Sequence, residues 1–232
     1  VEAGAVALVC ERRLDLEVPQ LIVDDARAAM ATVAATFNGD PTTEMKLAGI
    51  TGTNGKTTTA FLLRDILEYA GIPSGLMGTV KQVIGGVEEE VVRTTPEAID
   101  LQASFRRMVD AGDEACVMEV SSHAMVMHRA DAIDFDLAIF TNLTQDHLDF
   151  HGTPEAYFAA KAQLFMHLGP GRPMVLNAGD LHASYIDKAT PADVRRLWFH
   201  VPSRGPALVA AGLRVNPALL EAAGIDHDPR GL

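Results

Sequence analysis

Long apolar stretches are missing from this chain: no run of about 18 residues is free of polar and charged side chains, so no membrane-crossing helix is expected. The N-terminus lacks the basic-then-apolar order of a secretory signal, and a cytoplasmic location is the expectation. Cysteine is scarce. Cys10 and Cys116 stand far apart within apolar runs, which argues against a disulfide framework or a metal-binding cysteine pair and suggests two reduced core thiols. Positive charge is scarce too, with 19 Lys and Arg against 31 Asp and Glu and a formal charge of −12. Nucleic acid and anionic membranes reward clustered cations, so neither is expected as a partner. An anionic ligand must then be held by a few local groups. No internal repeat or low-complexity tract is visible. What the chain does have is apolar content, 48% of 232 residues, enough for the core of one domain with an appendage.

The most informative stretch is Gly49-Ile50-Thr51-Gly52-Thr53-Asn54-Gly55-Lys56-Thr57-Thr58-Thr59. It follows a short apolar run and opens a helical pattern with Phe61, Leu62, Leu63, Ile66, Leu67 and Ala70 on its apolar side, so it reads as a strand-to-helix turn. Glycines let the backbone approach an anion, successive N–H groups point at it, and the helix N-terminus adds partial positive charge. Lys56 would reach β- and γ-phosphates, and the Thr57 hydroxyl would face Mg²⁺. The strict phosphate-loop pattern wants glycine at position 50, where this chain has isoleucine. A glycine-rich turn without a ligand is the alternative.

Upstream, Ala5 to Cys10 reads as a buried strand and Gln20 to Val23 as a second. Asp24 or Asp25 would cap a helix from Ala26 to Phe37, closed by the turn cluster Asn38-Gly39-Asp40-Pro41. Residues 1–45 are too few for a core of their own and suggest the end of a preceding domain and its linker, or a docking arm, with the nucleotide-binding domain at 46–232. Downstream, strand-like runs at 75–80, 81–84 and 90–93 flank a hairpin at Gly85-Gly86. Thr95 would cap a helix that begins at Pro96 and stops at Gly112.

Ala115 to Val120 is a continuous apolar run broken by Glu119, the pattern of a central parallel strand. A lone buried carboxylate is costly unless paired or on a metal. At the carboxyl end of such a strand Glu119 would face the phosphate loop, which makes it a Mg²⁺ ligand candidate, with a structural salt bridge as the alternative. Leu137 to Phe140 is the next buried strand and feeds the polar loop Thr141 to Gly152, rich in Asn, Asp and His. Thr153 and Pro154 cap a helix to about His167. Lys161, one of only five lysines, stands four after Tyr157 and three before Leu164, so it shares their apolar face. It either snorkels along that face or is aimed, unmodified or chemically altered, at the site. Met174 to Asn177 and Leu197 to His200 suggest two further strands, and Asn216 to Gly224 a short helix. The fold class expected is α/β, a P-loop-type, mostly parallel sheet flanked by helices.

Gly52 to Thr57, Thr94-Thr95-Pro96, Glu119 to Ala124, Asn142 to Asp149 and Lys161 together resemble the central ATP-binding domain of the Mur ligases, in continuous order over about residues 1–180. The branch of that family that adds the third amino acid to UDP-MurNAc-L-Ala-D-Glu is the most similar. The resemblance implies an ATP- and Mg²⁺-dependent ligase of peptidoglycan precursor synthesis, which phosphorylates a carboxylate and lets the amine of diaminopimelate or lysine displace the phosphate. It implies that Gly52, Thr53, Asn54, Gly55, Lys56, Thr57, Thr58 and Asn142 bind nucleotide, and that Thr94, Thr95, Ser122 and Arg129 contact the UDP-MurNAc-dipeptide. Thr57 and Glu119 would hold Mg²⁺. His147 and Lys161, the latter matching a lysine carbamylated in the family, would serve a second metal, and Lys56, Lys161, His147 and Glu119 would form the catalytic group. Met127 stands where the family has a glutamine, and a thioether does not replace an amide's hydrogen bonds. Family members are longer, so N- and C-terminal ligase domains are implied as partners in cis or trans. A P-loop module without ligase activity and a folylpolyglutamate-type ligase are the alternatives.

Overall fold

A computed structural model describes residues 4–200. Its main element is an eight-stranded sheet. In chain order the strands are β3 (Lys46–Thr51), β4 (Ser74–Met77), β5 (Gln82–Ile84), β6 (Val87–Glu89), β7 (Ala115–Glu119), β8 (Leu137–Phe140), β9 (Pro173–Asn177) and β10 (Arg195–Phe199), arranged β10-β9-β8-β3-β7-β4-β5-β6. Every pairing from β10 to β4 is parallel, and only β4-β5-β6 runs antiparallel, through the expected hairpin at Gly85-Gly86. A separate two-stranded parallel ladder joins β1 (Leu8–Cys10) to β2 (Gln20–Ile22).

Central strands buried on both faces place successive residues in two cores. Leu47, Cys116, Met118, Met174 and Leu176 pack on one side with α3 (Ala98–Ala111) and α6 (Pro154–Met166). Ala48, Ile50, Val117 and Val175 pack on the other with α2 (Lys56–Tyr69). Glu119 has the parity of Val117, so its side chain is delivered to the α2 side. Gly49 lies on the α6 side, where a Cβ would stand 2.8 Å from the Phe135 ring and 3.1 Å from Leu164. Glycine there is what lets α6 approach the sheet.

Several local expectations need correction. The first strand is three residues long and half exposed, with Val9 40% exposed, because β1 and β2 form a free ladder rather than joining the main sheet. Cys10 is accordingly only half-buried, whereas Cys116 is fully buried and its thiol is pushed up by burial. Thr95 is not a helix cap. Glu97 occupies the N-cap position of α3, and the Thr95 hydroxyl instead donates to the Glu119 carbonyl oxygen at 3.0 Å. The hairpin strands are shorter than the apolar runs suggested, and the last of them is Val87–Glu89 rather than 90–93. By contrast α1 (Ala26–Phe37) is capped by Asp25, whose carboxylate accepts from the Arg27 and Ala28 N–H groups, and α6 is capped by Thr153. The ladder also extends further than the resemblance did, since α7 (Ala183–Ala189) and β10 continue the alternation to Phe199. The helix read at Asn216 to Gly224 lies outside the described residues.

Candidate active site

The chain moves outward from β3 in both directions, to β7 and β4 on one side and to β8, β9 and β10 on the other. A crevice at the carboxyl ends of β3, β7 and β8 is where such sheets take ligands. The phosphate-loop stretch leaves β3 there. Gly52 has φ +144°, and a Cβ at this position would collide with the Thr141 hydroxyl, so both conformation and close approach require glycine. Gly55, at φ 86°, turns the chain into α2 as its N-cap. The loop is held from outside by the residues after β8. The Thr141 hydroxyl donates to the Asn54 carbonyl at 2.7 Å, and Asn142 clamps the same peptide, accepting from Asn54 N–H at 3.0 Å and donating to its carbonyl at 2.9 Å. Asn142 thus fixes the loop's shape.

Lys56 folds back over the loop, its ammonium donating to the Gly52 and Thr53 carbonyls, both at 2.9 Å. Burial lowers its pKa, opposed by the charges of Glu119 and Asp146. Thr57, one residue on, donates to Glu119 Oε2 at 2.9 Å. Glu119 is 1% exposed and fully engaged: Oε1 accepts from Thr79 N–H at 2.8 Å, and Oε2 lies 3.2 Å from the Thr79 hydroxyl. Its partners are hydroxyls and a backbone amide, which rules out the structural salt bridge. A carboxylate with a facing hydroxyl is the all-oxygen donor set that suits Mg²⁺. Thr58 is exposed on the first turn of α2.

On the opposite side of the loop, Lys161 is 1% exposed and donates to the Gly52 carbonyl at 2.8 Å. It does not snorkel. Its ammonium sits 4.5 Å from the centre of the Tyr157 ring, and burial, aided by the charge of Lys56, brings its pKa down to about 7. Tyr157 in turn shares a hydrogen bond with Thr53 Oγ1 at 3.1 Å. His147, at φ 50° and bracketed by Asp146, presents its ring edge to Tyr157 at 6.1 Å and to His123 at 4.9 Å. His151 completes this aromatic group and hydrogen-bonds Ser122 Oγ at 2.9 Å. Desolvation and the neighbouring histidines lower the pKa of both His123 and His151, which favours the neutral form of these rings. Among the described residues no group of three His, Cys, Asp or Glu side chains is arranged to hold a metal ion. As a bare ammonium Lys161 does not fit a second metal, whereas Thr57 and Glu119 do fit a first.

The residues expected to meet the acyl substrate fall into one neighbourhood. Thr94 Oγ1 lies 3.0 Å from Thr79 Oγ1, and Thr95 bonds Glu119 O and Ser121. Arg129 donates to Thr95 O at 3.2 Å, pairs with Glu97 at 2.8 Å and rests against the Met127 sulfur at 3.3 Å. Ser122, the first residue of α4 (Ser122–Val126), is buried against His151, the last of α5 (Leu148–His151). Two contributors escaped sequence reasoning. Tyr157 fits the apolar pattern of its helix, and the signal for it is that a buried tyrosine hydroxyl needs a partner. Thr79 falls within the apolar run 75–80, and the signal for it is a Gly-Thr pair leaving a parallel strand, where site residues gather.

With this geometry in place, comparison with known proteins is informative. A model of the Mur ligase middle domain matches residues 50–210. The chain belongs to the Mur ligase family. Among curated Mur ligases, the UDP-N-acetylmuramoyl-L-alanyl-D-glutamate--2,6-diaminopimelate ligase of Geobacillus thermodenitrificans (strain NG80-2) is 48% identical over 200 residues, covering 84% of this chain and 41% of that protein. The enzyme of the same name from Listeria monocytogenes serotype 4b (strain F2365) is 46% identical, with the same coverage. This Mur ligase chain therefore spans about 41% of the length of these relatives. Among solved structures, one of a UDP-N-acetylmuramoyl-L-alanyl-D-glutamate--2,6-diaminopimelate ligase superposes with a TM-score of 0.73 at 28% identity, over 88% of this chain and 42% of that one. E.coli FolC in complex with ADP shares the fold, at a TM-score of 0.55 and 18% identity over 73% of this chain and 46% of its own. Among the described residues of this Mur ligase chain no helix is long and apolar enough to cross a membrane.

Proposed function

We propose that these residues form the nucleotide-binding centre of an ATP-dependent acid–amino-acid ligase that acts on UDP-MurNAc-L-Ala-D-Glu in cytoplasmic peptidoglycan precursor synthesis, working with N- and C-terminal ligase domains supplied in cis or trans. The observation that carries the reading is Lys161. A module that only binds nucleotide needs the phosphate loop and Glu119, but has no use for a buried lysine hydrogen-bonded to the loop and ringed by Tyr157 and histidines. The relatives named above carry the name of diaminopimelate ligases, which favours diaminopimelate over lysine as the added amino acid.

In this reading the γ-phosphoryl group passes from ATP to the substrate carboxylate and ADP departs. The incoming amine then forms the C–N bond, the C–O bond to phosphate breaks, and the amine's surplus proton goes to solvent. Bound Mg²⁺ supplies neutralising charge at the phosphate oxygens. Thr57 and Glu119 would hold it. Lys56 exchanges its two carbonyl contacts for phosphate oxygens, which a lysine with a flexible stem does without moving the backbone. Thr94, Thr95, Ser122 and Arg129 line the side from which the carboxylate arrives.

Lys161 is the group we assign to carbamylation. A pKa of about 7 leaves a large neutral fraction at physiological pH. The neutral nitrogen attacks the carbon of CO₂, an N–C bond forms and one N–H proton leaves to solvent. The product is an anion, which suits the neighbourhood of Lys56 and, with His147, a second metal. Calorimetry tests the first half of the reading: Lys56→Ala in the complete natural chain is expected to lose Mg²⁺–ATP binding with the fold intact, and unchanged affinity would remove the assignment. For the second half, Lys161→Ala is expected to lose activity that short-chain carboxylates partly restore. A lysine of purely structural importance would show no such rescue.

A further inference from the structure

Thr79 stands where two sites meet. Its N–H donates to Glu119 Oε1 at 2.8 Å, and its hydroxyl lies 3.2 Å from Glu119 Oε2 and 3.0 Å from Thr94 Oγ1. The other hydroxyl on Glu119 Oε2 is that of Thr57, at 2.9 Å. The backbone permits this close seat because the preceding residue is Gly78, where a Cβ would stand 2.6 Å from Glu119 Oε1. A threonine hydroxyl carries one proton and two lone pairs. Thr79 therefore donates either to the carboxylate or to Thr94, never to both.

We propose that Thr79 is a positioning residue that couples the metal–nucleotide site to the acyl-substrate site through the direction of its hydroxyl. The proposal rests on the reading above, in which Glu119 holds Mg²⁺ and Thr94 meets the UDP-MurNAc-dipeptide. While Glu119 carries uncompensated charge, it is the stronger acceptor and keeps the Thr79 proton, because hydrogen bonds to ionised groups are roughly twice as strong as neutral ones. Thr94 Oγ1 then receives no proton from Thr79, and its own hydroxyl is not oriented from that side. A divalent cation on Glu119 weakens that acceptor. The Thr79 proton turns to Thr94 Oγ1, which as its acceptor is left with its own proton facing the substrate. Occupation of one site thus fixes Thr94 as an outward donor at the other. By linkage the substrate strengthens metal–nucleotide binding by the same factor.

The test uses the complete natural chain, a non-hydrolysable ATP analogue and UDP-MurNAc-L-Ala-D-Glu, with binding followed by calorimetry. In the wild type the Mg²⁺-bound analogue is expected to tighten the dipeptide substrate by at least about fivefold. The metal-free analogue is expected to give no such gain. Thr79→Val keeps the shape and the backbone N–H but lacks the hydroxyl, so both ligands should bind while the coupling factor falls to about one; Thr79→Ser should restore it. A structural role alone would lower the melting temperature in Thr79→Val and leave the coupling unchanged. That result overturns the proposal, as does coupling that persists in the wild type without metal, an arm that holds even if Thr79→Val fails to fold. Failure of the parent reading looks different: the wild type would bind neither ligand.

Discussion

At the scale of single residues, the phosphate loop carries its own cation in two places. Lys56 and Lys161 both donate to the Gly52 carbonyl, one from each side of the loop. Burial first, and then the repulsion between two ammonium groups on one oxygen, bring the Lys161 pKa from 10.5 to about 7. The consequence for stability has a definite sign. Between about pH 7 and 10.5 the unfolded chain still holds the Lys161 proton that the folded chain has released. Raising pH through that window therefore favours the fold, by at most about 1.4 kcal/mol per pH unit, and below it the full cost of burying the charge is present. Denaturant titrations in bicarbonate-free buffer should show a rising slope above pH 7 that Lys161→Met reduces, the remainder coming from Lys56, whose pKa burial also lowers. An identical slope in the variant would mean that another group titrates.

At the scale of elements, the strand-to-helix turn tolerates little. Gly52→Ala places a Cβ against Thr141 in a backbone conformation that L-residues rarely adopt, and is expected to cost about 2–4 kcal/mol in chemical denaturation. Gly86→Ala, also at positive φ but facing open space, should cost only about 1 kcal/mol. Equal losses would mean that the collision with Thr141 is relieved by a shift of the loop. The elements themselves were legible in the sequence wherever a local rule decides them. Asp25, Thr153 and Gly112 ended helices where capping chemistry puts them, and the apolar runs at 115–119 and 137–140 became central strands. Thr95 misled because Thr-Pro at a helix start is a cap by local rules, and its true partner, the Glu119 carbonyl, lies 24 residues away. The same non-locality hid Thr79, whose carboxylate partner is 40 residues on. Residues 5–10 were apolar enough for burial, but which ladder a strand joins is settled by partners rather than by composition. In the site, Lys56 and Thr57 were readable from the glycine-rich strand-to-helix pattern, and Glu119 and Lys161 because charge and burial conflict at those positions. Tyr157 was hidden because a tyrosine satisfies an apolar pattern whether or not its hydroxyl works.

At the scale of the whole molecule, the half-site proposed for phosphate and Mg²⁺ lies at the carboxyl ends of the central strands, within a chain that spans about 41% of the length of the Geobacillus relative. Enclosure that excludes water and completes the catalytic group comes in such enzymes from further protein surface. The 232 residues alone are therefore expected to bind ATP weakly and to form no product from UDP-MurNAc-dipeptide, ATP and diaminopimelate or lysine. Product formation by the purified chain would show that residues beyond Phe199 build the missing pocket. The clamp on the phosphate loop also sets a timetable during synthesis. Asn54 waits 88 residues for Asn142, and Gly52 waits 109 for Lys161. At about 5–20 residues per second, a ribosome takes on the order of ten seconds to deliver them. The loop stretch is therefore made well before the residues that clamp it, and a product interrupted before Asn142 would carry that stretch without the side chain that grips the Asn54 peptide.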